Sequence, residues 1–178
     1  MLVIFYGKWA QGLTPDTFVG AEGTGLKLLD QFGRPMYLPP NSASNAFFLW
    51  MLRYLLVQHW DLNDVGRPEM LRLLFATPRQ WLADGGALRL TAMPPAFGPI
   101  SLVVQAELGK GQIVGWVEMP REVPERAYLR LRLPQGWQIL AATIDEQPVP
   151  VDKAGVIDLT GKTGKVSLMV KVAKVQDN

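Results

Sequence analysis

Glu22 is the carboxylate of this chain best placed to do chemistry, because it stands inside the loop "GAEGTG" between residues without side chains. A substrate can approach such a loop closely, and a sugar is one substrate of suitable shape. Hydrolysis of a glycosidic bond needs two carboxylates roughly 5–10 Å apart, one as acid and one as base or nucleophile. Asp16, a short way upstream, is the second candidate. The competing reading of Glu22 is a loop carboxylate that caps a turn. Six tryptophans form the other chemical resource, since apolar rings stack on sugar faces. Most tryptophans belong to cores. Trp116 and Trp137 are the carbohydrate-binding candidates because they fall in strand-like segments where an outward position is available.

Other chemistries find little support. The chain has no cysteine and one histidine, His59, which excludes thiolate zinc sites, disulfide scaffolds and histidine metal clusters. His59 is not accompanied by a GxSxG elbow and reads as a helix-end residue. Asp61, Asp64 and Glu69 in "DLNDVGRPE" break the ligand spacing of a calcium loop and read as a solvated connection. "GTG" at 23–25 and "GKTGK" at 161–165 both lack the full phosphate-loop pattern. No metal or cofactor is implied. A net charge of +2, with no run of basic residues, excludes nucleic acid as a partner. The apolar run Ala46–Val57 is too short for a membrane span, and "MLVIFYGKW" has no basic residue ahead of its apolar stretch. No export signal is therefore read, and no compartment is assigned.

The elements that would position these residues follow two rhythms. Residues 1–70 read as helix, loop and helix, with "MLVIFYGKWAQGL" as a first helical stretch. A long loop rich in glycine and proline follows, running to "PPNS". A second helix is predicted after a cap at Asn41 or Ser42, reaching about His59. Phe47, Phe48, Leu49, Trp50, Met51, Leu52, Tyr54, Leu55, Leu56 and Val57 cover nearly all its directions, with Arg53 the only interruption. Such a helix belongs inside a larger assembly.

From Leu71 the pattern changes to short strands. Eight candidates run from "LRLLFA" at 71–76 to "KVSLMVKVAK" at 165–174, many of them alternating and bounded by proline or glycine. "TPRQWLADG" interrupts them with about one helical turn. The fold class predicted is α+β, with a short helical segment (1–70) followed by an antiparallel β-sandwich (71–178).

The order "TFVGAEGTGL", "MYLPPNSASNAFFLWMLRYLLV" and "LRLLFATPRQWLADGGALRLTAMPPAFGPISLVV" resembles the C-terminal end of bacterial six-hairpin glycoside-hydrolase-like proteins. These are built on an (α/α)6 toroid with β-sandwich domains attached. "TIDEQPVPV" (143–151) is similar to the late hairpin of such sandwiches. The resemblance implies a last helical hairpin plus a non-catalytic sandwich that braces a catalytic toroid. It also adds weight to Glu22, since a catalytic carboxylate of toroidal glycosidases often sits on a late hairpin loop. The partners it implies are an upstream toroid, or self-association through residues 43–58, and a polysaccharide or oligosaccharide. Two other roles stay open: a carbohydrate-binding module, or a donor of one carboxylate (Glu22) to a glycosidase site. By itself the chain is expected to have no glycosidase activity.

Overall fold

The computed structural model describes residues 42–175. The first expected helix and the long glycine-rich loop lie outside the described residues. The chain divides into two compact units, Met1–Leu55 and Leu56–Asn178. The described part of the first unit is a single helix, α1 (Ser42–Leu56), whose final residue belongs to the second unit.

Strand formation begins earlier than the sequence suggests. The helix expected to reach His59 ends at Leu56, and Val57–Trp60 forms strand β1. This strand pairs antiparallel with β2 (Met70–Leu73), setting His59 opposite Leu71. The first sheet strand therefore precedes the expected start of the sandwich at residue 71. The physical reason lies in the sheet: β1 pairs the edge of β2 and buries Val57, whereas a helix continued to His59 would leave that edge unpaired.

The second unit is a two-sheet β-sandwich. After β2 the chain forms a 3-10 turn at Arg79–Leu82, then β3 (Ala87–Met93), β4 (Ile100–Glu107) and β5 (Gln112–Glu118). It continues with β6 (Arg126–Arg130), β7 (Trp137–Ile144), β8 (Gln147–Val149), β9 (Val156–Asp158) and β10 (Lys165–Lys174). One sheet has the order β1-β2-β6-β9 and the other β3-β4-β5-β10-β7-β8. All neighbours are antiparallel except β2 and β6. That parallel pair exists because the chain leaves the first sheet after β2, builds three strands of the second, and returns as β6; parallel neighbours need such a crossover.

Alternating side chains make the core. In β10, Val166, Leu168, Val170 and Val172 are buried while Lys165, Ser167, Met169 and Lys171 are exposed. Leu102, Val104 and Ala106 of β4 and Leu129 of β6 are fully buried in the same manner. A period of two sends successive side chains to opposite faces, and each large apolar side chain withdrawn from water contributes about 1.5–3 kcal/mol.

Two local features decide how strands meet. The β7–β8 hairpin turns through Asp145 and Glu146, with φ of 48° and 65°. Positive φ at both central residues is the type I′ arrangement, whose twist matches the flanking strands. Asp145 Oδ1 accepts the Ser167 backbone N–H at 2.7 Å, which fastens this turn to β10. Pro148 sits in β8 at the sheet edge, the position where a missing N–H costs least.

Candidate functional site

Glu22 and Asp16, the proposed catalytic carboxylates, lie outside the described residues. The two tryptophan candidates are both present on the six-stranded sheet, but the structure does not bring them together. Trp116 in β5 pairs with Ser167, and Trp137 at the start of β7 pairs with Lys174. The two β10 partners are separated by seven residues, about 23 Å of strand. Their surroundings also differ. Trp116 shares the outer face with Val114 and Val103, and Lys165 Nζ lies 4.1 Å from its ring centroid. That cation packs on its ring more closely than Lys174 does on Trp137. Trp137 opens instead onto a cleft of about 550 Å3.

This cleft is assembled by four segments that are distant in sequence. The first is the stretch after β2. Leu74 adopts φ of 61°, unusual for a bulky side chain, and its N–H donates to Leu56 O at 2.7 Å. The fully buried Thr77 hydroxyl donates back to Leu74 O at 3.0 Å. This folded corner delivers Arg79 at the start of the 3-10 turn, and Arg79 Nη1 donates to Leu133 O at 2.7 Å. The second segment is β6 and its continuation, where Leu129, Leu131 and Leu133 are buried and Arg130 and Arg132 point the opposite way. Arg132 Nη1 donates to Thr77 O at 2.9 Å, so the two segments are tied in both directions.

The third segment is the tight turn Asp152–Gly155. Asp152 Oδ1 accepts the N–H groups of Ala154 and Val156 at 2.8 and 2.9 Å. Gly155 has φ of 77°, and a Cβ there would lie 2.8 Å from Leu131 O. Only glycine lets this turn sit so close to the β6 extension. Arg130 Nε donates to Ala154 O at 3.0 Å and fixes the turn from the other side. The fourth segment is Trp137–Ile139 of β7, which supplies the aromatic wall.

The electrostatics are one-sided. Arg79, Arg130 and Lys153 line the cleft with a single carboxylate, Asp152, whose Oδ1 is taken by its own turn. Lys174 Nζ lies 5.8 Å from the Trp137 ring centroid. Among the described residues the only ion pair is Lys110–Glu107, so no carboxylate neutralises these cations within 4 Å. Burial lowers the pKa of the Arg132 guanidinium, and the charges of Arg79 and Arg130 lower it further. Its Nε is buried and finds no hydrogen-bond acceptor. Arg72 on β2 shows the same direction, from burial first and then from the charge of Arg130. Its guanidinium is 4.0 Å from the Phe75 ring centroid and 5.4 Å from that of Trp60.

Sequence reasoning named Trp137 but missed Arg79, Arg130 and Lys153. The alternation of "YLRLRL" (128–133) sets its arginines outward but gives no sign that they meet a cleft. The acids of the "DLNDVGRPE" connection behave as expected of a solvated loop. Asp61 accepts the Gly66 N–H at 2.6 Å and the Val65 N–H at 3.2 Å, and Glu69 accepts the Leu62 N–H at 2.7 Å. No group of three or more potential metal ligands occurs among the described residues. No described helix is long and apolar enough to cross a membrane.

Compared with known protein families, with characterised proteins and with solved structures, the chain has no significant match.

Proposed function

We propose that this chain is a bracing module: a β-sandwich whose leading helix docks onto a helical domain and holds it, without doing chemistry of its own. The observation that carries this reading is the apolar face left open on α1. Phe47, Leu49 and Trp50 are 43%, 63% and 47% exposed, although each would gain by leaving water. The Phe47 and Trp50 rings stack at 5.7 Å between centroids, and Trp50 meets Tyr54 at 4.5 Å. Contiguous exposed apolar surface of this kind marks interaction sites. Phe47, Trp50 and Tyr54 stand at i, i+3 and i+7, the spacing by which one helix packs on others.

Connectivity favours the same role. The last residue of α1, Leu56, is followed directly by the first of β1, and Leu56 O accepts the Leu74 N–H within the sandwich unit. The class of partner we propose, a layer of helical hairpins, is the one implied by the resemblance read in the sequence.

The test is the association state. In the isolated chain the open face meets its own copy, so sedimentation should show concentration-dependent association, and Leu49→Ser with Trp50→Ser should reduce it. A chain that stays monomeric at several hundred micromolar, with or without those changes, overturns the bracing role.

A further inference from the structure

The cleft beside Trp137 combines features that bracing does not require. It has a volume of about 550 Å3, within the range of roughly 300–1,000 Å3 that holds small ligands. It presents one aromatic wall and three cations, and it has only one carboxylate of its own. Positive groups gathered at one mouth favour an anionic ligand over a neutral one. Two guanidiniums are already oriented by main-chain bonds, Arg79 to Leu133 O and Arg130 to Ala154 O. Each of those bonds uses a single N–H, and a guanidinium has five donors, so most remain for a ligand. Pre-oriented donors lose little freedom on binding.

We infer that this cleft binds an acidic saccharide, with the carboxylate of a uronate-type sugar held by Arg79, Arg130 and Lys153 and its ring seated against Trp137. The two halves of this ligand match the two halves of the site. A carboxylate fits charge-assisted bonds from guanidinium and ammonium groups, and the C–H face of a pyranose fits an indole. A simple inorganic anion would leave the aromatic wall unused, and a neutral sugar would leave the cations unpaired. Gln138 and the Asp152 turn lie at the same mouth and can meet ring hydroxyls. This site is independent of the α1 face, so either can fail while the other stands.

The experiment uses the full chain and follows its six tryptophan indole N–H resonances by NMR while trigalacturonate is added, with the signals assigned through Trp137→Phe. The control ligand is the methyl ester of the same trisaccharide, identical in ring structure but uncharged. The expected result is saturable movement of the Trp137 signal, at least about tenfold weaker for the ester and weakened by added salt. Arg130→Gln should weaken trigalacturonate binding roughly tenfold or more. Because Arg130 also holds the 152–155 turn, Lys153→Ala is the parallel variant; this exposed side chain carries no structural bond, and its loss should weaken binding several-fold. Equal binding of acid and ester overturns the proposal. So does trigalacturonate binding that neither variant changes, and so does a Trp137 signal that phosphate moves as readily as the saccharide does.

Discussion

Replacing Gly115 with alanine should destabilise the sandwich, although the same change in an ordinary strand would help it. Gly115 lies in β5 between Val104 of β4 and Leu168 of β10. Its backbone is not in the left-handed region, so alanine would bring the usual benefit of a less flexible unfolded chain, about 0.4–1 kcal/mol. Sterics oppose this. A Cβ at Gly115 would lie 2.1 Å from Val103 O and 3.1 Å from Val104 Cα. Both are main-chain atoms of a paired strand, so relief requires β4 and β5 to separate by on the order of 1 Å, enough to weaken ladder bonds. Overpacking of this kind costs about 1–3 kcal/mol, and each weakened main-chain bond about 1 kcal/mol more. The net loss should be about 1–3 kcal/mol, or a melting temperature lower by roughly 5–12 °C for a unit of this size. Thermal unfolding followed by far-ultraviolet circular dichroism, with a urea titration alongside, measures it. Gly136→Ala is the comparison. There φ is 79° with open space around the Cβ position, so only backbone strain of about 1 kcal/mol applies. A Gly115→Ala variant as stable as the parent, or more stable, would refute the steric reasoning.

Further outcomes follow from other residues. Glu146 occupies the second position of a type I′ turn with φ of 65°, so Glu146→Gly should raise stability by about 0.5–1 kcal/mol, seen as a higher melting temperature. Leu102 is fully buried in β4, and Leu102→Ala should cost about 2–5 kcal/mol in urea unfolding. Hydrogen bonds from Gln112, then from Lys110, hold the Glu107 carboxyl below its ordinary value of 4.5. A depressed carboxylate contributes stability above that value and loses it as pH falls through the folded one. Stability measured from neutral pH down to pH 3 should therefore fall less steeply in Glu107→Gln than in the parent.

Much of the sandwich could be read from alternation alone, because a half-buried strand needs an apolar residue at every second position. Each of the eight expected segments contains a strand, and "TPRQWLADG" contains the 3-10 turn expected of it. One strand, Val57–Trp60, escapes the pattern, and another, Gln147–Val149, is read only as part of a late hairpin through the resemblance of "TIDEQPVPV"; both have physical reasons. Val57–Trp60 continues the apolar run of α1 with no glycine or proline between, so the change from helix to strand leaves only the β-branched Val57 as a sign. Gln147–Val149 has three residues, one of them proline, and is a strand because the Asp145–Glu146 turn folds it back on β7. The parallel pairing of β2 with β6 depends on a chain crossing that local pattern does not encode. The cleft was less legible still. Arg79 and Leu133 are 54 residues apart, and Arg130 and Ala154 are 24 apart, so their convergence exists only once both sheets are formed.

The central claim is that α1 presents a docking face, and sedimentation equilibrium of the chain against the Leu49→Ser/Trp50→Ser variant tests it most directly. Fully burying such side chains gains about 1.5–3 kcal/mol each. Leu49 and Trp50, 63% and 47% exposed, have about half of that still to gain. Together they should supply about 1.5–3 kcal/mol of association, a change of roughly ten- to 150-fold in the dissociation constant. The expected result is reversible association of the parent chain, shifted by about that factor in the variant while its circular dichroism is unchanged. A parent chain and a variant with the same sedimentation profile would contradict the claim, because the exposed aromatic face would then contribute no binding energy.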